Sequence, residues 1–182
     1  IAVIIKCTDR GPVFYRQDRL TQDGRVFSIC KFRTMVQDAE KNTGARLASD
    51  DDDRVLPVGK FLRRTRLDEL PQLWNILKGE MSVVGPRPER PELAEKIEDE
   101  IPEFNYRLKV KAGLTGYAQI YGKYNTSSYD KLKLDLSYIR KYSVFLDLKL
   151  IIMTPKIMFM KESTEGVKGE NGEYNSNDSS MI

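Results

Sequence analysis

Two adjacent carboxylates, Asp68 and Glu69, stand inside the stretch RRTRLDELPQLWNILKGEMSVVGPRPE that runs from Arg63 to Glu89. Arg63, Arg64 and Arg66 precede or flank them, and Arg87 follows between Pro86 and Pro88. Acids at a helix start are common, because the helix dipole favours an anion there by ~0.3–1 kcal/mol. Phosphate chemistry is the competing reading. The arginines lie close to the acids without neat helical pairing distances, and guanidinium groups match phosphate oxygens as donors. Two prolines stiffen the backbone of Arg87, which lowers the entropy lost when it grips an anion. Adjacent carboxylates can also divide labour: one attacks phosphorus while the other holds a divalent cation that neutralises the phosphate oxygens. Magnesium (Mg2+) suits such a site, since oxygen ligands and substrate phosphates are on offer and soft ligands are not.

Several elements must position these groups. Leu70, Leu73, Trp74 and Leu77 recur at helical spacing and Gly79 supplies a stop, so a short helix is expected with Asp68 and Glu69 at or just before its N-terminus. Pro71 fits the first turn, where its missing N–H is not needed. Upstream, residues Val13 to Met35 hold two β-rich runs around Asp23-Gly24, a dipeptide suited to a type I′ or bulged turn. On the second run Phe27, Ile29, Lys31 and Arg33 share one face. Those two basic residues either decorate a solvated edge strand or point to the same anionic pocket.

The composition narrows the chemistry. The chain has 182 residues, 40% of them hydrophobic, which suits one domain with a sizeable core. A net charge of +3 excludes a strongly basic nucleic-acid binder, so no nucleic-acid partner is expected. With no histidine, Ser-His and Cys-His nucleophile pairs are excluded, and acid–base work falls to Asp, Glu, Lys or Tyr. Cys7 and Cys30 are too few for a metal site and read as buried thiols. The run Asp50 to Asp53 reads as a solvated loop. Residues Glu89 to Phe104 read as a polar surface helix, and the glycine-punctuated VKAGLTGYAQIYGK as a loop-rich segment with no P-loop spacing. Ser128 to Tyr142, and LDLKLIIMTPKIMFMK beyond it, interleave basic and apolar residues at helical intervals; each is a core-facing helix or a membrane-surface helix. The chain opens on the apolar run IAVII, which reads as the stump of a longer hydrophobic segment. Residues 163–182 are polar and rich in Gly, Asn and Ser, and are expected to be disordered.

Five motifs in order, GPVFYRQDR, FSICKFRTM, VGKFLRRTRLDELPQLWNILKGEMSVVGPRPE, VKAGLTGYAQIYG and LDLKLI, resemble the bacterial sugar transferases, monotopic phosphoglycosyl transferases that act on polyprenyl phosphate. The resemblance runs from about Gly11 to Phe159. It implies that a nucleotide sugar, a UDP-sugar by expectation, gives its phosphosugar to polyprenyl (undecaprenyl) phosphate and releases UMP, as the first membrane step of glycoconjugate or exopolysaccharide synthesis. Asp68 would be the nucleophile, forming an acyl-phosphate, and Glu69 its neighbour in the family dyad, with both near Mg2+. Arg63 and Arg87 would hold phosphate or nucleotide, and Gly85 to Glu89, Pro86 and Pro88 included, would shape the nucleotide pocket. Lys31, Arg33 and Arg107 would line the same anionic pocket. The implied setting is the membrane surface at the cytoplasmic face of the bacterial inner membrane. Family members carry an N-terminal helix that dips into one leaflet, of which IAVII would be the remnant, and often Ser-Pro where this chain has Asp9-Arg10.

The expected fold is α+β, predominantly helical with a small β-hairpin: a membrane-associated, monotopic catalytic domain over 1–162 and a polar tail over 163–182. Two other classes of function remain open from the residues. A non-catalytic module could bind a nucleotide or an acidic membrane through its basic patches, although carboxylates inside such a patch weaken anion binding unless a metal or a covalent step uses them. A magnesium-dependent hydrolase of nucleotide sugars would use water as acceptor.

Overall fold

A computed structural model describes residues 1–37, 39, 52–122 and 126–158. The polar tail and Asp50–Asp51 lie outside the described residues. Among the described residues are seven α-helices and four strands, α1 (Ala2–Asp9), β1 (Phe14–Leu20), β2 (Val26–Phe32), α2 (Pro57–Arg64), α3 (Gln72–Leu77), β3 (Ser82–Val84), α4 (Pro91–Glu100), β4 (Gly113–Thr115), α5 (Tyr117–Tyr121), α6 (Ser128–Arg140) and α7 (Val144–Met158), with 3-10 segments at Gln22–Gly24, Leu67–Glu69 and Pro102–Lys109. The class is α+β, mostly helical.

β1 and β2 form the antiparallel hairpin, with Phe14 opposite Phe32 and Leu20 opposite Val26. Asp23 and Gly24 both take positive φ, 59° and 72°, the left-handed pair that a tight hairpin turn requires and that Asp-Gly supplies at low cost. One face of β2 buries Phe27 and Ile29 against Met81 and Ala112. Two further clusters complete the core. Ala94, Ile97, Phe104 and Leu132 join α4 to α6, and Val84, Tyr138 and Leu150 join β3 to α6 and α7.

The segment read as loop-rich is instead ordered structure. β4 pairs in parallel with β3, Val84 opposite Thr115, and α5 follows directly. Its glycines permit close approach rather than breaking structure: a Cβ on Gly113 would collide with the backbone of Gly85. Two other expectations need correction. Cys7 is exposed on α1 while Cys30 is buried, because Ile5 is the one buried residue of that helix. Asp52 is buried rather than solvated, since Arg54 takes both of its carboxylate oxygens, at 2.8 and 2.6 Å. Pro155 lies inside α7, which runs on to Met158.

Short α3 is built with its polar side inward. Gln72 and Asn75 are each 2% exposed, whereas Leu70, Leu73, Trp74 and Leu77 are 44 to 78% exposed. Asn75 explains the inversion, because its amide serves the open edge of β2. Its Oδ1 accepts the Cys30 N–H at 3.0 Å, and its Nδ2 donates to Ser28 O at 2.9 Å and to Glu80 at 2.7 Å. A side chain thus replaces a missing strand, satisfying backbone groups that burial would otherwise leave unpaired. Gly79, at φ 76°, then ends the helix as its spacing predicted.

Candidate active site

α2 ends at Thr65, whose hydroxyl donates back to Phe61 O at 2.9 Å. Arg66 then adopts φ 53°, a left-handed conformation that costs a non-glycine residue ~1–2 kcal/mol. That reversal starts a single 3-10 turn, Leu67–Glu69, closed by the Glu69 N–H donating to Arg66 O at 3.1 Å. Asp68 and Glu69 therefore stand on a sharp corner between two helices, and strain of this kind is retained where surrounding contacts over-determine the backbone.

The two acids differ in their engagements. Glu69 is 8% exposed, and its Oε1 accepts Lys31 Nζ at 2.8 Å and Arg87 Nη2 at 3.2 Å. Burial alone would raise this carboxyl. The charges of Arg87 and Lys31, the Lys31 hydrogen bond and the charge of Arg66 outweigh it and hold Glu69 well below the usual carboxylate range. Asp68 makes no ion pair among the described residues. Burial, with the adjacent Glu69 charge adding to it, pushes the Asp68 carboxyl up, while Lys31 and Arg63 oppose the rise. The corner thus carries one locked, ionised acid and one unengaged acid of raised basicity. Burial lowers the ammonium of Lys31, against the pull of Glu69; for Arg87 the Glu69 charge dominates and raises the guanidinium.

Lys31 reaches this corner because it lies on the β2 face shared by Phe27 and Ile29, which the core turns inward. Arg63, at the end of α2, donates from Nε to Thr34 Oγ1 at 2.9 Å and lies within the field of Asp68. Arg87 follows β3 directly, with half of its side chain open to solvent. Pro86 is buried, and Pro88 lines a small cleft with Arg19, Lys31, Gln72 and Arg87. Asp68, Glu69, Lys31, Arg63, Arg87 and Pro88 are thereby brought together.

Arg33 and Arg107 are placed elsewhere. Arg33 takes both oxygens of Asp9 and donates to Pro12 O, tying α1 to the hairpin. Arg107 is buried against Asp135 of α6, with its side chain 5% exposed, too enclosed to meet a ligand directly. Sequence reasoning passed over Arg19 and Gln72. Gln72 Nε2 and Arg19 Nε are buried without partners beside the cleft. A usable signal was the pair Gln72 and Asn75, three apart and opposite an apolar stripe.

The site offers only oxygen ligands to a metal ion, and no group of three or more acidic, Cys or His residues gathers among the described residues. Two carboxylates are too few to cage a metal ion by themselves; Asp68 and Glu69 are the residues that would hold a magnesium ion, the rest of its shell coming from outside the protein.

The family model described as bacterial sugar transferase matches residues 1–161. A UDP-N-acetylgalactosamine-undecaprenyl-phosphate N-acetylgalactosaminephosphotransferase of Aeromonas hydrophila is 42% identical over 156 residues, covering 84% of this chain and 37% of its own. A UDP-glucose:undecaprenyl-phosphate glucose-1-phosphate transferase of Klebsiella pneumoniae is 44% identical over 168 residues, 90% of this chain and 36% of its own. An undecaprenyl-phosphate galactose phosphotransferase of Salmonella typhimurium is 34% identical over 169 residues, 85% and 35%. The chain therefore spans roughly a third of the length of these curated relatives, whose names differ in the sugar.

Proposed function

The chain belongs to the bacterial sugar transferase family, and on that premise we propose that it transfers a phosphosugar from a UDP-sugar to undecaprenyl phosphate and releases UMP. The observation that carries the reading is the split dyad: Glu69 is pinned as an anion by Lys31 and Arg87, and Asp68 beside it has no ion-pair partner among the described residues. A phosphate-binding module has no use for an unengaged acid among its cations, but a covalent transferase does.

In the first half-reaction an Asp68 carboxylate oxygen attacks the sugar-bearing phosphorus of the donor. The bond from that phosphorus to the bridging oxygen breaks, and UMP leaves with the electron pair. In the second, an oxygen of undecaprenyl phosphate attacks the same phosphorus, and the acyl-phosphate bond breaks to restore the Asp68 carboxylate. Burial and Glu69 raise the basicity of Asp68, which strengthens it as a nucleophile. Arg87 and Arg63 hold and orient phosphoryl oxygens, and Lys31 keeps Glu69 ionised beside the reacting centre. Bound magnesium would add neutralisation of diphosphate charge, with Asp68 and Glu69 as its protein oxygens.

Intact-protein mass spectrometry on the chain mixed with a panel of UDP-sugars, without acceptor, tests this reading. The expected result is a phosphosugar adduct that maps to Asp68 and disappears on adding undecaprenyl phosphate. An adduct on another residue, or turnover with none, removes Asp68 from the role; product formed without lipid phosphate favours the hydrolase.

A lipid acceptor requires the site to meet a membrane, at the cytoplasmic face on this reading. Among the described residues no helix is long and apolar enough to cross one. The outward stripe of α3, directly after the dyad, and Val144, Phe145, Leu148 and Ile152 of α7 give exposed apolar surface for an interfacial contact. Trp74 is the chain's single tryptophan and stands 59% exposed on α3. Its emission is expected to shift to the blue when anionic liposomes are added, and the protein to float with them; unshifted emission and no flotation would remove the membrane from the proposal.

A further inference from the structure

Past Gly85, whose N–H donates to Thr115 O at 2.9 Å, the loop after β3 has almost no amides to hold it. Pro86 and Pro88 have no N–H, so only Arg87 has a donor between Gly85 and Glu89. The loop is held by its carbonyls instead. Pro86 O accepts the Gly113 N–H at 2.9 Å, Pro88 O accepts Arg19 Nη1 at 3.4 Å, and Glu89 O accepts the Leu20 N–H at 2.9 Å. The carbonyl of Arg87 itself accepts Arg107 Nη2 at 3.0 Å.

Arg107 is fixed from three sides. Its Nε and Nη2 lie 2.9 and 2.7 Å from Asp135 Oδ2, its Nη1 lies 3.7 Å from Glu89, and its guanidinium carbon sits 4.8 Å over the Phe104 ring. Asp135, 1% exposed, projects from α6, and its neighbours Leu132 and Tyr138 are core residues. A chain of contacts therefore runs from the body of α6 through Asp135 and Arg107 to the backbone of Arg87, whose guanidinium then meets Glu69 at 3.2 Å.

We propose that Arg107 is a positioning residue: anchored by Asp135, it fixes the Arg87 backbone and so sets where the Arg87 guanidinium stands over Glu69. The role given to Arg87 rests on the proposed transfer reaction, but the mechanical link does not. A planar guanidinium can present two donor directions at once, to Asp135 and to the Arg87 carbonyl; a lysine ammonium at the same place does not reproduce that fork.

The experiment has two arms on the full chain. In the first, 15N relaxation reads the backbone amide of Arg87. The unaltered protein is expected near the rigid value of about 0.85, and Arg107→Lys to drop it toward about 0.6. Asp135→Asn, which keeps shape and removes charge, serves as the second variant and is expected to act in the same direction. In the second arm, donor kcat/KM is measured for Arg107→Lys, Arg87→Ala and the double variant. Arg107→Lys is expected to lose roughly 10- to 100-fold alone and less than about 2-fold once Arg87 is gone, since the two act as one unit. A mobile Arg87 amide in the unaltered protein, an unchanged order parameter in a folded variant, or equal losses with and without Arg87 would each overturn the proposal. If no UDP-sugar is turned over, the first arm still decides it, and the failure then falls on the transfer reaction alone.

Discussion

Glu69 and Asp135 are both buried acids held by arginine, at 8% and 1% exposure, yet burial loses at the first and wins at the second. Glu69 faces two cations on one oxygen, Lys31 and Arg87, with Arg66 behind them, and its carboxyl is held low. At Asp135, burial pushes the carboxyl up despite the charge and hydrogen bonds of Arg107. The balance of neighbouring charges decides: Arg87, Lys31 and Arg66 together outweigh burial at Glu69, whereas at Asp135 the charge of Glu89 adds to burial against Arg107. An arginine shared between two acids, Asp135 and Glu89, has no positive charge to spare and suits a structural joint. A pinned acid with a surplus cation suits the reception of an anion. Arg87 belongs to both regions, since its guanidinium serves Glu69 and its carbonyl serves Arg107.

The comparison breaks first if chemistry does not follow the Glu69 side. Asp68→Asn keeps the shape and removes the attacking oxygen's charge, and turnover and adduct are expected to fall together by more than about a thousandfold. Retention of the adduct would move the nucleophile elsewhere. Excess chelator is expected to cost about 100- to 1,000-fold, because carboxylate and diphosphate repel by ~4 kcal/mol per unit pair at contact in a partly dry site. The melting temperature should stay where it was, since Asp68 and Glu69 do not cage a metal without substrate.

Swapping the measurements sharpens the contrast. Glu69→Gln is expected to lower turnover by about 100-fold through the loss of oriented charge. Asp135→Ala is expected to lower stability by about 3 kcal/mol, because it leaves the buried Arg107 guanidinium with only the 3.7 Å contact to Glu89 as an ion pair. Denaturant melts and steady-state kinetics on both variants would show it. A Glu69 variant that mainly unfolds, or an Asp135→Ala variant that loses no stability, would reverse the assignment.

The sequence made one of these regions legible and hid the other. Asp68, Glu69 and Arg87 announce themselves by residue type and by the prolines around Arg87, and Lys31 could be placed by strand alternation. Arg107 carried the same charge as a ligand residue would, and only the packing of α6 shows that it points at Asp135. The same blindness applies to α3. Its period gave the helix, but not that Asn75 would claim the inner face by serving the β2 edge, leaving the leucines outside. Gly113 and Gly116 read as breakers, because close backbone approach and loop irregularity leave the same residue in the sequence.

A third ion pair, bonded to none of the acids Asp68, Glu69 and Asp135, serves as the control with the smallest expected effect. Arg33 takes both Asp9 oxygens, and that bond, helped by the Gly11 N–H at 2.9 Å, lowers the Asp9 carboxyl from its ordinary 3.8 to about 2. The folded-state value lies below the unfolded one, so the stabilisation is fully present above about pH 4 and drains away as pH falls through about 2, below which Asp9 is protonated in both states. Asp9→Asn should therefore melt slightly below the unaltered protein at neutral pH, and the gap should close as pH falls from about 4 through about 2. Turnover at neutral pH is expected to stay within about twofold, since α1 touches neither Asp68 nor the Arg87 loop by any hydrogen bond among the described residues. A constant gap down to pH 2 would mean that Asp9 acts through shape rather than charge, and a large loss of turnover would return Arg33 to the anionic pocket that its sequence position suggested.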